Sequence, residues 1–170
     1  MCAKFENELK NPKDWVEVFP YGLTIGLGSE KPLFLFKDAT EKYVLPIQME
    51  HHDAELALCC MRKNNTQETS MELPFQLLKS SGLSLKKAMI NEVRGSQQYM
   101  TVEYSLAEQT LEKVVKASVG IPLCLRSDTS FFTTYGHIKR TRQLRSEAEQ
   151  NQEIQSMVGD LDISMPGYLN

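Results

Sequence analysis

Trp15-Val-Glu-Val-Phe19 alternates apolar and polar positions with the two-residue period of a strand, pauses at Pro20 and resumes over Leu23-Thr-Ile-Gly-Leu27. Gly28-Ser-Glu-Lys-Pro32 has turn chemistry, and Leu33-Phe-Leu-Phe36 predicts a second strand. After the turn Asp38-Ala-Thr-Glu41, Tyr43-Val-Leu-Pro-Ile47 predicts a third. Successive strands on short loops form an antiparallel meander most simply. Pro46 has no N–H to give a ladder, which places the third strand at an edge.

The period changes at Asp53. Ala54, Leu56, Ala57, Leu58 and Met61 are strong helix formers, Asp53 suits the N-cap, and Arg62-Lys-Asn-Asn65 supplies terminal cations and a stop. A second helix from Thr69 or Ser70 is expected to turn Leu73, Phe75, Leu77 and Leu78 to the core and to end at Gly82 in a left-handed cap. Leu83 to Val93 and Gln98 to Tyr104, either side of Gly95-Ser96, predict a hairpin. Leu106 to Ser118 reads as helix, with Leu111, Val114 and Val115 on one side, and Gly120-Ile-Pro-Leu-Cys-Leu125 as a last short strand. From Ser127 or Asp128, proline-free sequence predicts a long helix from Thr129 to about Val158. Phe131, Tyr135 and Ile138 give its first part an apolar face; its second part is nearly all polar. The expected fold class is α+β: one domain with a mixed, mostly antiparallel sheet, helices on one side and an appended C-terminal helix. The expected boundaries are an N-terminal arm at 1–14, a domain at 15–126, a helical extension at 127–160 and a tail at 161–170.

Composition adds little to this pattern. With 170 residues, 41% hydrophobic and 24% charged, the chain can bury a core without disulfides or a structural metal. No window reaches the roughly 18 apolar residues of a spanning helix, and the start Met-Cys-Ala-Lys-Phe-Glu lacks an apolar signal region, so a cytoplasmic location without membrane contact is expected. Cys2, Cys59, Cys60 and Cys124 show no C-x-x-C spacing and read as reduced core thiols. A net charge of −3 excludes bulk electrostatic coating of nucleic acid. The charge is nevertheless segregated. Arg126, Lys139, Arg140, Arg142 and Arg145 are set against only Asp128 in their stretch, and the only charges from Glu147 to Asp162 are acidic.

Two clusters carry candidate chemistry. Glu50-His51-His52-Asp53-Ala54-Glu55 gathers imidazoles and carboxylates, which can ligate a divalent metal that activates water for phosphodiester hydrolysis. Its spacing is not that of H-E-x-x-H, and it reads equally as an acidic first turn suited to the helix dipole. In His137-Ile-Lys-Arg-Thr-Arg-Gln-Leu-Arg145, Lys139, Arg142 and Arg145 recur every three residues on one helix face, a row able to contact phosphates or to lie solvated beside the acidic stretch. No Gly-rich phosphate loop and no G-x-S-x-G elbow is present.

The order of elements and several strings resemble the bifunctional nuclease domain family. These are Val44-Leu-Pro-Ile47 leading into Asp53-Ala54, Leu77-Leu-Lys-Ser-Ser-Gly82 before a hairpin, and Gly120-Ile-Pro-Leu123, so that the likeness spans about Trp15 to Arg126. The resemblance implies metal-dependent hydrolysis of DNA or RNA with Mg or Mn. Asp53 is the residue that carries over from the resemblance; the residue chemistry itself adds the expectation that Asp53 and Glu55 are catalytic, Glu50, His52 and Asp53 metal ligands, and Lys139, Arg140, Arg142 and Arg145 nucleic-acid contacts. Two departures bear on activity: Glu50 stands where members carry Gly, and Leu106-Ala-Glu-Gln-Thr110 where they carry an R-P-S-D-like string before the third helix. The rival expectation is a non-catalytic homo-oligomeric module of the same fold. In it, Lys139 to Arg145 would face Glu147 to Glu153 of an antiparallel partner helix.

Overall fold

The computed structural model of the chain describes residues 15–25, 31–62 and 70–143. They build one α+β domain. Its strands are β1 (Trp15–Ile25), β2 (Pro32–Asp38), β3 (Val44–Gln48), β4 (Ser84–Arg94), β5 (Gln97–Leu106), β6 (Gln109–Lys116) and β7 (Ser130–Thr134). The helices are α1 (His51–Met61), α2 (Glu72–Ser80), α3 (Ala117–Arg126) and α4, residues 135–143. The sheet runs β3-β2-β1-β7-β4-β5-β6, antiparallel except for the β4–β7 pair. Among the described residues no helix is long and apolar enough to cross a membrane.

The meander forms as expected, and Pro46 lies in the edge strand β3. β1 runs through Pro20 because a bulge between Pro20 and Gly22 absorbs the proline. Gly82 caps α2 with φ +72°, and the bonds Leu83 N–H to Leu78 O (3.2 Å) and Gly82 N–H to Lys79 O (3.3 Å) make a Schellman motif.

Four expectations need correction. Residues 109–116 are strand, not helix: Ala107 and Glu108, both at positive φ, make a tight turn without glycine, and the strand pairs over its whole length with Tyr99 to Leu106 of β5. Residues 117–126 are helix, not strand, because Ala117, Ile121 and Cys124 recur at helical spacing and are buried. Asp128 is not the N-cap of a long helix. At φ 55° it ends α3, with Thr129 N–H bonded to Cys124 O (2.9 Å), and it turns the chain into β7. Residues 130–134 therefore supply the central strand of the sheet, and the part of the expected helix that forms among the described residues is α4, 135–143. Finally, α2 buries nothing: Leu73 and Leu77 are exposed, and the helix is held by Arg126, which pairs with Glu72 (3.0 Å) and lies 4.5 Å from the Phe75 ring centroid.

One apolar core lies between the sheet and the helices α1, α3 and α4. Phe34, Phe36, Ile90, Met100 and Phe131 come from the sheet; Ala54, Ala57, Ile121 and Ile138 come from the helices. Alanines on α1 let it approach α3 closely, and Gly120 does the same for α3 against the sheet. A Cβ at Gly120 would overlap Met100 Cε and stand 2.8 Å from Val115 Cγ2. The methionine end can swing, but the β-branched valine cannot. Gly120→Ala is expected to cost about 1–3 kcal/mol in urea denaturation. Gly22→Ala, which would meet nothing within 4 Å, should stay within about 1 kcal/mol of the parent.

Candidate functional site

Met49 ends the β3 ladder by donating its N–H to Pro32 O (2.9 Å) and buries its side chain. The chain enters α1 at once, so Glu50 and not Asp53 occupies the N-cap, with extended backbone and no side-chain capping bond. Asp53 is the third helical residue, half-buried in the first turn. α3 begins in the same way. Lys116 closes β6 in extended conformation, stands at the N-cap and makes no side-chain capping bond.

These two helix starts meet across a cleft of about 120 Å³. Met49, Glu50 and Asp53 line one wall, and Lys116, Ser118 and Val119 the other. Ser96, Gln97 and Gln98 come from the β4–β5 turn and the start of β5, while Lys31 and Gln48 complete the lining. First-turn N–H groups of a helix have no acceptor within the helix, and the dipole concentrates positive potential there. Two such ends and two ammonium groups therefore border the cleft, opposed by two carboxylates. One carboxylate is already engaged. Lys31 Nζ lies 2.5 Å from Glu50 Oε1, and this bond holds the Glu50 carboxyl below the ordinary carboxylate range.

Of the residues expected at this junction, the fold brings only Glu50 and Asp53 into the cleft. His51, His52 and Glu55 are exposed and outside its lining, since successive helical residues project about 100° apart. Among the described residues no three His, Cys, Asp or Glu side chains gather where they could hold a metal ion. Of the expected ligands Glu50, His52 and Asp53 for Mg or Mn, Glu50 and Asp53 line the cleft and His52 lies outside its lining. Lys139, Arg140 and Arg142 are exposed on α4 opposite the buried His137, Ile138 and Thr141; Arg145 lies outside the described residues. Sequence reasoning missed Lys31, Lys116 and Ser118. The available signal was Lys116-Ala-Ser118 following Val114-Val115, a strand-to-helix junction like the one at Glu50.

Cys59 and Cys60 are half-buried free thiols, and burial pushes Cys124 up to about 12, which leaves it a poor nucleophile. Cys2 lies outside the described residues. Comparison with protein-family models and with curated protein sequences finds no match.

Behind the cleft, Gln98 Nε2 donates to Pro46 O (2.8 Å), which leaves Gln98 Oε1 to face His137 Nε2 at 3.4 Å. This network assigns the imidazole proton to Nε2. Burial first, and Arg140 second, push His137 down from 6.5 to about 4. Between these values the unfolded chain binds more protons than the folded one, so stability falls as pH falls through that window and is complete above it. Acidification from pH 7 to pH 5 is expected to cost about 2 kcal/mol through this residue. Urea midpoints measured across the window should show that loss in the parent and a much flatter dependence in His137→Gln; equal slopes would remove His137 as the cause.

Proposed function

We propose that the cleft between the starts of α1 and α3 is where the chain engages a phosphodiester, as a nuclease-like domain. The single observation behind this reading is the convergence of two uncapped helix N-termini, Lys116 and Asp53 on one small polar cleft. Helix N-termini favour phosphate oxygens, which accept from their N–H groups. Lys116 adds a charge-assisted donor and Ser118 a hydroxyl. The resemblance of the chain to bifunctional nuclease domains suggests the same ligand class. With Glu50 tied to Lys31, Asp53 is the carboxylate left to orient or deprotonate a water at the phosphorus. The exposed cations of α4 would add phosphate contacts that carry no sequence information.

The test is oligonucleotide binding by anisotropy, together with cleavage of single-stranded and duplex substrates in buffer supplemented with Mg or Mn. Lys116→Ala is expected to weaken binding about tenfold and to reduce the salt dependence by roughly one phosphate contact. Asp53→Ala is expected to abolish cleavage while leaving binding largely intact. Binding without cleavage in the parent assigns the non-catalytic module instead. An absence of binding, or binding indifferent to Lys116, sinks the cleft as the site.

A further inference from the structure

The two edges of the sheet are finished differently. β3 is short, contains Pro46, and has the Pro46 carbonyl taken by Gln98. β6 is eight residues long, and among the described residues only β5 pairs with it. All of β6 is exposed except half-buried Val115, including Leu111 at 39% and Val114 at 44%. Such an edge presents unpaired backbone N–H and C=O groups to any strand that fits.

Its side chains select one kind of strand. Glu112, Val114 and Lys116 alternate onto one face, the face of Thr101 and Glu103 on β5, away from buried Met100 and Val102. A twofold axis perpendicular to a sheet, lying midway between the two edge strands, generates an antiparallel neighbour and keeps each face continuous, so the register must set one residue opposite its own copy. With the axis at Val114, each Val114 opposes its own copy. Glu112 then opposes Lys116 of the second copy, and Lys116 opposes its Glu112. Axes at Glu112 or Lys113 would instead set like charges opposite each other, which is destabilising.

We propose that β6 is a dimer edge, on which a second copy of this chain adds its own β6 antiparallel about a twofold axis midway between the two copies of Val114. The pairing places Glu112 of the second copy beside Lys116 at the cleft rim, so association and the cleft share a residue. The proposal does not depend on what the cleft binds, because its readouts are mass and cross-linking.

Sedimentation of the full-length chain is expected to show a two-chain species. Glu112→Lys should weaken the association roughly tenfold or more by opposing like charges, and Glu112→Lys with Lys116→Glu should restore it. Register is read by cysteine placement. Residues opposed across an antiparallel pair have Cα atoms about 4.5–5.5 Å apart, within disulfide range. Val114→Cys should therefore cross-link on mild oxidation above the baseline set by the parent's own cysteines. Thr110→Cys, about 26 Å from its counterpart in this register, should not. A one-chain mass for the parent at all concentrations, a Glu112→Lys chain that remains a dimer, or stronger cross-linking at 110 than at 114 overturns the proposal.

Discussion

The fold depends on the pairing of five residues, Ser130–Thr134. β3-β2-β1 and β4-β5-β6 are each antiparallel units, and among the described strands only β7 pairs with both, antiparallel to β1 and parallel to β4. Its alternation serves both sides of that duty. Phe131 points into the core, with its ring centroid 4.9 Å from that of Phe36, and its burial contributes about 2–3 kcal/mol. Thr133 is also buried, and its hydroxyl donates to Ile90 O at 2.6 Å, adding a side-chain tie to the parallel pair. Because β7 follows both units in the chain, the full sheet cannot close until a long-range pairing forms, the type of contact that slows folding. The α3 cap at Asp128 aims the chain into that slot, and the Thr134 hydroxyl, accepting from His137 N–H at 3.1 Å, starts α4 as soon as the slot is filled.

This arrangement also explains which parts of the fold were legible in the sequence. The meander and the β4–β5 hairpin declare themselves through period-two alternation and turn residues, and Gly82 through its place after an apolar run. β6 does not. Leu111, Glu112 and Lys113 favour helix intrinsically, and the Ala107-Glu108 turn adopts positive φ without the glycine or asparagine that would announce it. Only the continuous ladder to β5 overrides that preference, and a ladder between two segments is not a local property. At Ser127-Asp128 the ambiguity is chemical: a short polar residue serves a helix start and a left-handed helix end equally well, and the chain's direction around that point decides between them.

The site was legible by half for a related reason. Glu50 and Asp53 stand three apart at a helix start, so local geometry alone keeps them together. Lys31, nineteen positions from Glu50, is brought beside it by the β2–β3 ladder, whereas Lys116, sixty-six positions away, reaches the cleft because the sheet curls until β3 touches β5, across the four strands that separate them in sheet order. His52 and Glu55, one and two positions from Asp53, are carried away by the helical rotation that separates near neighbours.

Gln98 connects these levels. It lines the cleft, its amide nitrogen holds the β3 edge at Pro46, and its oxygen accepts a hydrogen bond from Nε2 of a buried, neutral His137 on α4. The contact between β3 and β5 that forms the cleft is therefore fastened by a side chain whose orientation is set by the segment following the central strand. A neutral imidazole suits this position because a charged one would lie desolvated near Arg140. The polarity of the cleft follows from the same placement. With Glu50 paired to Lys31, the groups still facing its interior are one carboxylate at Asp53, one ammonium at Lys116 and two helix amino ends, a balance that favours an anion over a cation.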